Sequence, residues 1–395
     1  MRSNAAPGAW LRLGALAGAS ATLVAVVSGT FGPGTTHSLL SALALPPLLA
    51  VAVAAWLSYR QLLPASIAAL ALFGAAAAVT VPGLHVALAA LAFAASLVVC
   101  ALCFRGTPAP AGAWRDYLTL TKPRIMSLLL VTGAAGMFVG AEGVPPLGLF
   151  LAAMAGLALA CGGASALNHL LDRDLDRLMG KRTEKRPVAA GRIAPARALE
   201  FGLVLSALSF VLLASVVNVF AAALALVGNL FYVLVYTRWL KRTTSQNIVI
   251  GGAAGAVPPL VGYAAATGNL ALPALWLFLI VFLWTPPHFW ALALLLKESY
   301  AAAKVPMLPV VRGERETTRQ IVLYSLVLVA FTLAAGFWFG PIYVAAAAVL
   351  GGAFLLLAWQ LRRDPSRRRA SLLFHYSLLY LALLFAAAAV NPVVL

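Results

Sequence analysis

Asn168, Asp172 and Asp176 fall at i, i+4 and i+8. On a helix that spacing puts one carboxamide and two carboxylates on a single, slowly drifting face. Asp174 points elsewhere. Oxygen donors gathered in this way suit a hard cation. Mg2+ typically takes one or two carboxylates, keeps waters and fills its remaining places with phosphate oxygens. The residues that follow include Lys181, Arg182, Lys185 and Arg186, which meet phosphate charge directly. Together they describe a Mg2+–diphosphate site. The plainer alternative is a solvated helix end whose acids pair with Arg173, Arg177 and Lys181. It leaves Asn168 unexplained, one turn deeper, where an unpaired polar group is costly.

The elements that position these residues must be membrane helices. The chain is 63% hydrophobic and 10% charged, far below the roughly 25% charge of a soluble globule. Apolar runs long enough to cross about 30 Å of hydrocarbon recur throughout, and none alternates like a barrel strand. The fold class expected is all-α and polytopic, with about thirteen spans. Four lie near 10–31, 37–58, 62–81 and 85–104, and nine near 118–140, 147–170, 197–216, 220–238, 246–266, 273–296, 319–338, 342–361 and 371–392. Residues 105–115, rich in Pro, Gly and Ala, read as a linker. This divides the chain into a four-helix part, 1–104, and a nine-helix part, 116–395.

The formal net charge of +17 would fit nucleic acid, but its distribution argues against that. With Met1 in the cytoplasm, the turns returning to that side carry Arg60, Arg105, Arg115, the 173–197 cluster, Arg238, Lys241, Arg242, Lys297, Lys304, Arg312, Arg315 and Arg362 to Arg369, while the opposite turns hold no Lys or Arg. This is the positive-inside pattern. It places the protein in a cell (inner) membrane with its N-terminus and the 168–187 loop cytoplasmic. The basic, acid-poor start reads as a retained first span rather than a cleaved leader. Cys100, Cys103 and Cys161 lie in expected helices and read as packing, with no zinc-type ligand set.

N-x-x-x-D-x-x-x-D followed by M-x-x-R-T-x-x-R-P resembles the first aspartate-rich motif of the UbiA-type intramembrane prenyltransferases, and more narrowly of their protohaem IX farnesyltransferase branch. The resemblance extends to DYLTLTKPR at 116–124, YTRWLKRTTSQNIVIGGAAGAVPPLVGYAA at 236–265, WTPPHFWALALLLKESYAAAKVPMLPVV at 284–311 and FHYSLLYLALLF at 374–385. It implies a nine-helix bundle that joins farnesyl diphosphate to haem b, giving haem O and diphosphate. It assigns Asn168, Asp172 and Asp176 to the metal and Lys181, Arg182 and Arg186 to the diphosphate. Lys122 and Arg124 are candidates for the same anion and equally good topology anchors. Tyr236, Lys241 and Arg242 form a second phosphate-facing cluster, with snorkelling to the interface as the alternative. The family's second acidic motif is altered: Ser299 stands where an acid is expected, and Glu298 is the carboxylate left to serve as a second ligand. His288, in TPPHFW, is either a satisfied core histidine or a haem contact.

The first four spans lie outside that resemblance. His37 and His85 open the second and fourth of them at the same membrane level, where two imidazoles suit one haem iron. Their segments distantly resemble half of haem A synthase, which implies that this part binds haem, receives haem O or is a remnant, with haem A synthase as a candidate partner. The alternative is an accessory bundle with two interfacial histidines. Two competing functions remain open on the residues alone. One is prenyl transfer to a quinone or chlorophyll-type acceptor; the other is a cation transporter using intramembrane carboxylates.

Overall fold

The computed structural model describes residues 9–30, 63–78, 114–180 and 183–394, with single positions and short runs between 44 and 99. The chain is helical wherever it is regular, and no strand occurs among the described residues. In the first part, α1 (Ala9–Thr30) and α2 (Leu63–Ala78) are helices. Of the other two segments expected to span there, only positions 44, 46–52, 92, 93, 95, 96 and 99 are described; His37, His85, Cys100, Cys103 and most of 105–115 lie outside the described residues.

From Trp114 onward the helices follow one another closely. A short α3 (Trp114–Leu120) leads into α4 (Pro123–Ala141), α5 (Leu147–Leu171) and the brief α6 (Arg173–Leu178). Then come α7 (Pro195–Val217), α8 (Val219–Thr243), α9 (Asn247–Thr267) and α10 (Leu272–Leu295). Two short helices, α11 (Lys297–Ala302) and α12 (Leu308–Val311), precede α13 (Gly313–Ala334), α14 (Gly336–Arg363) and α15 (Arg367–Val394). Nine of these are long and apolar enough to cross a membrane among the described residues. Their outer faces are hydrocarbon, with Leu147, Phe337 and Val349 among the exposed residues. The protein is a multi-pass membrane protein.

The nine spans close into a ring, α15 packing back against α4. One core gathers Leu157, Leu213, Ala222 and Val261 from α5, α7, α8 and α9. A second gathers Trp284, Tyr343, Phe354, Tyr380 and Phe385 from α10, α14 and α15. Because successive spans run in opposite directions, the start of α4, both ends of the α5–α7 and α8–α9 turns, the end of α10 and the α14–α15 turn share one membrane face. That face carries the aspartates and the basic clusters.

Two local features differ from a row of plain helices. The span expected from residue 118 breaks at Lys122, whose φ of 51° is left-handed; Pro123 then opens α4. The helical ladder is interrupted there, because proline supplies no N–H to continue it. Second, residues 231–240 of α8 form a π-helix, a widened turn that is found most often at functional sites.

The tightest packing is between α4 and α9. A Cβ at Gly262 would lie 1.8 Å from the Gly133 carbonyl oxygen, and one at Gly136 2.2 Å from that of Pro259. Small residues are what let membrane helices approach so closely. Gly262→Val is therefore expected to cost more than the ~1–3 kcal/mol typical of overpacking, read as loss of monodisperse protein in detergent. Gly255→Ala, where nothing lies within 4 Å, is the control and should behave as wild type.

Candidate active site

The site forms where α5 ends. The helical ladder passes through Asp172, whose N–H donates to the Asn168 carbonyl at 2.9 Å, and on to Asp176, whose N–H donates to the Asp172 carbonyl at 2.8 Å. Asn168, Asp172 and Asp176 thus stay on one face, and all three are buried. Each is wired to a different element. Lys122, at the α3–α4 break, donates to Asn168 Oδ1 at 2.7 Å. The Asn168 amide donates to Asp172 Oδ2 at 2.8 Å and to Thr237 Oγ1 at 3.1 Å. Lys241, at the end of α8, donates to the same Asp172 oxygen at 2.5 Å. Arg186, from the loop after α6, donates to Asp176 Oδ1 at 2.6 Å.

The loop that supplies Arg186 is anchored. Val188 and Ile193 are buried against Leu120, Ala166 and Ala198. Arg177 Nε donates to the Ala189 carbonyl at 2.9 Å, and Arg192 bonds both Asp116 and the Lys185 carbonyl at 3.0 Å. Thr183 Oγ1 caps the Asp176 carbonyl at 2.8 Å. The π-turn has its own part in the geometry. Thr237 Oγ1 donates to the Tyr232 carbonyl five residues back at 2.8 Å, which holds Thr237 and Lys241 on the same side. Tyr232 and Tyr236 stack there at 5.5 Å.

The charges feel each other. Burial, with Arg186 nearby, lowers the Lys122 ammonium to about 7. Burial raises the Asp176 carboxyl above the usual range, against the pull of Arg186. Two carboxylate oxygens, Asp172 Oδ1 and Asp176 Oδ2, are buried with no hydrogen-bond partner among the described residues. Such atoms are expensive to leave unpaired. Two free carboxylate oxygens beside three cations fit a Mg2+ ion bridging to phosphate, the donor set that this ion favours. Asn168 does not offer a third in this state: its carbonyl holds Lys122 and its amide orients Asp172.

Several expected residues sit elsewhere. Arg242 makes a bidentate pair with Asp174 at 2.7 and 2.8 Å and donates to the Leu171 carbonyl at 2.6 Å. That pair holds the Asp174 carboxyl at about 2. It lines a surface groove with Arg173 and Arg238, and in this structure Arg242 braces the α5–α8 junction. Arg124 is exposed beyond the α4 start. Glu298 is exposed and makes no hydrogen bond or ion pair among the described residues. The group that this helix turns inward is Tyr300, within electrostatic range of Lys241, Arg186, Asp172 and Asp176, and burial raises its phenol. Lys181 and Arg182 lie outside the described residues. His288 is buried in α10 and bonds Ser377. Thr237 and Tyr300 had no signal in spacing, since one depends on a π-turn and the other on how the short α11 is turned. His169 adjoins the motif with both ring nitrogens unpartnered and buried.

The UbiA prenyltransferase family model matches residues 129–388. The chain belongs to the UbiA prenyltransferase family. A protoheme IX farnesyltransferase of Symbiobacterium thermophilum is 55% identical over 278 residues, 69% of this chain and 92% of that one. One from Synechocystis is 51% identical over 281 residues, 70% and 89% of the two chains. A solved digeranylgeranylglyceryl phosphate synthase has 20% identity and a TM-score of 0.59, over 71% of this chain and 99% of that one. A UbiA homologue from Archaeoglobus fulgidus bound to GPP and Mg2+ has 18% identity and a TM-score of 0.54, over 69% and 99%. These structures share the UbiA fold. Residues 1–104 precede the matched region.

The free carboxylate oxygens lead to a direct test. Mg2+ with inorganic pyrophosphate should raise the Tm of the purified protein. Asp172→Asn and Asp176→Asn should abolish that rise. Lys241→Met, which leaves Asp172 buried without its cation, should lower the Tm itself, by the equivalent of about 3–5 kcal/mol.

Proposed function

We propose that this UbiA-family protein transfers the farnesyl group of farnesyl diphosphate to a vinyl group of haem b, giving haem O. The observation that carries the diphosphate half is the pair of buried, unpartnered oxygens on Asp172 and Asp176 beside Lys122, Lys241 and Arg186. The acceptor rests on the protoheme IX farnesyltransferases that align with more than two thirds of the chain. Asp172 and Asp176 would hold Mg2+, with Asn168 orienting the first. Bound there, Mg2+ neutralises diphosphate charge and makes it a better leaving group.

The protein's own residues do the rest. Lys241 and Arg186, joined by Lys122 once a bound diphosphate favours its protonated form, place positive charge where negative charge grows as the allylic C–O bond breaks and its electron pair passes to the diphosphate. To do so, Lys241 and Arg186 exchange part of their hold on the aspartates for phosphate oxygens. The stacked Tyr232 and Tyr236 set aromatic faces beside the cation that forms. The vinyl π electrons then make the new C–C bond, and water adds to the resulting cation and gives up a proton. The apolar interior of the ring limits water until that step.

The basic turns support an orientation with this face cytoplasmic in a cell membrane. The chain then has two parts, a four-helix unit at 1–104 and the prenyltransferase at 116–395 joined by 105–115. For the first, haem held by His37 and His85, and haem A synthase as a partner in haem handling, rest on sequence pattern.

Incubation of the purified chain with haem b, farnesyl diphosphate and Mg2+ should yield a farnesylated haem by mass. Asp172→Ala, Asp176→Ala and Arg186→Ala should each lower kcat/KM by about 10²-fold or more, with the folded state retained. A quinone prenylated in place of haem would overturn the acceptor. Separately, a bis-histidine haem spectrum should vanish in both His37→Ala and His85→Ala; persistence in either removes that ligand assignment.

A further inference from the structure

His288 is held more tightly than a packing role requires. Its ring lies between Trp284, with centroids 4.2 Å apart and planes 16° from parallel, and Phe374, at 4.8 Å and 22°. Phe289 meets its edge at 5.1 Å. Nδ1 is 2.6 Å from Ser377 Oγ. The same hydroxyl oxygen is 2.7 Å from the Phe374 carbonyl. Trp284 Nε1 donates to the Ser377 carbonyl at 2.8 Å and fixes the serine against α10.

Counting hydrogens settles the tautomer. Two short contacts, Nδ1 to Oγ and Oγ to the carbonyl oxygen, need two hydrogens between three heavy atoms. The carbonyl has none and the hydroxyl has one. The second must be on Nδ1. If the serine donated to Nδ1 instead, its oxygen and the Phe374 carbonyl would face each other lone pair to lone pair at 2.7 Å in a buried site. No carboxylate contacts the ring among the described residues, so the imidazole is neutral and its lone pair lies on Nε2. That nitrogen makes no hydrogen bond among the described residues, and the residue keeps 6% of its surface exposed.

We propose that Ser377 is a positioning residue that fixes His288 as the Nδ1–H tautomer, so that Nε2 is the nitrogen that ligates the iron of the haem acceptor. This rests on the haem reading above and adds to it the atom and the residue that set it. A ring nitrogen bound to metal commonly has its partner N–H donating to an oxygen, which fixes ring orientation and strengthens the ligand. The two aromatic planes stop the imidazole from rotating out of that geometry. Iron held at one fixed nitrogen leaves the porphyrin one rotation about the bond to bring a vinyl group to the farnesyl cation.

The test uses the full chain in detergent, labelled with 15N-histidine. His288→Gln identifies the His288 signals. Without haem, the wild type should show a protonated Nδ1 and an unprotonated Nε2. Ser377→Ala should give a tautomer mixture, and Ser377→Thr, which keeps the hydroxyl, should restore the wild-type pattern. A protonated Nε2 in the wild type, or no change in Ser377→Ala, overturns the role of Ser377. Haem b is then titrated by absorbance. His288→Gln should lose the histidine-ligated spectrum, and Ser377→Ala should weaken haem binding by about tenfold. Unchanged spectra and affinities in both variants overturn ligation by His288, even where the wild type farnesylates haem. A wild type that binds haem through His288 and transfers no farnesyl group overturns the function and leaves the ligation standing.

Discussion

Two carboxylates buried at a membrane edge constrain the whole arrangement. Asp172 and Asp176 are almost fully removed from solvent, where an unpaired charge costs several kcal/mol. Each therefore draws a cation from a distant part of the chain. Lys241 comes from the end of α8, Arg186 from the loop after α6, and Lys122, through Asn168, from the break before α4. Three connections that have no other reason to meet are pinned together by that demand. The close approach of α4 to α9 and the π-turn in α8 bring the cations within reach.

Much of this was legible in the sequence because it follows from period and length. Apolar runs of span length gave the nine helices to within a few residues, and i, i+4, i+8 spacing put Asn168, Asp172 and Asp176 on one face. What spacing could not give was the direction of residues at helix ends. Lys241 and Arg242 are neighbours, yet about 100° of helix turn sends one to Asp172 and the other to Asp174. Lys122 and Arg124 likewise part company at a left-handed residue that no periodicity reveals. Glu298 looked like the missing acid because of its place in line, but α11 turns Tyr300 inward instead.

The histidine in α10 shows a similar limit. Its type and its place beside Pro286 and Pro287 left core packing and substrate contact equally open. The hydroxyl 89 positions away in sequence, on α15, gives the ring a defined polar partner. Such a contact exists because α15 packs directly against α10.

The ion pairs of the site have a further consequence for which molecules can enter it. With Arg186 on Asp176 and Lys241 on Asp172, both acids already hold cations. A bare anion would have to draw those cations away and strand both acids; a bare divalent cation would crowd three positive charges. Only the two together let every charge keep a partner. Metal and diphosphate thus favour each other's binding, a positive linkage that must work equally in both directions. On the function proposed above, the site would answer the complex of metal and diphosphate more strongly than either partner alone.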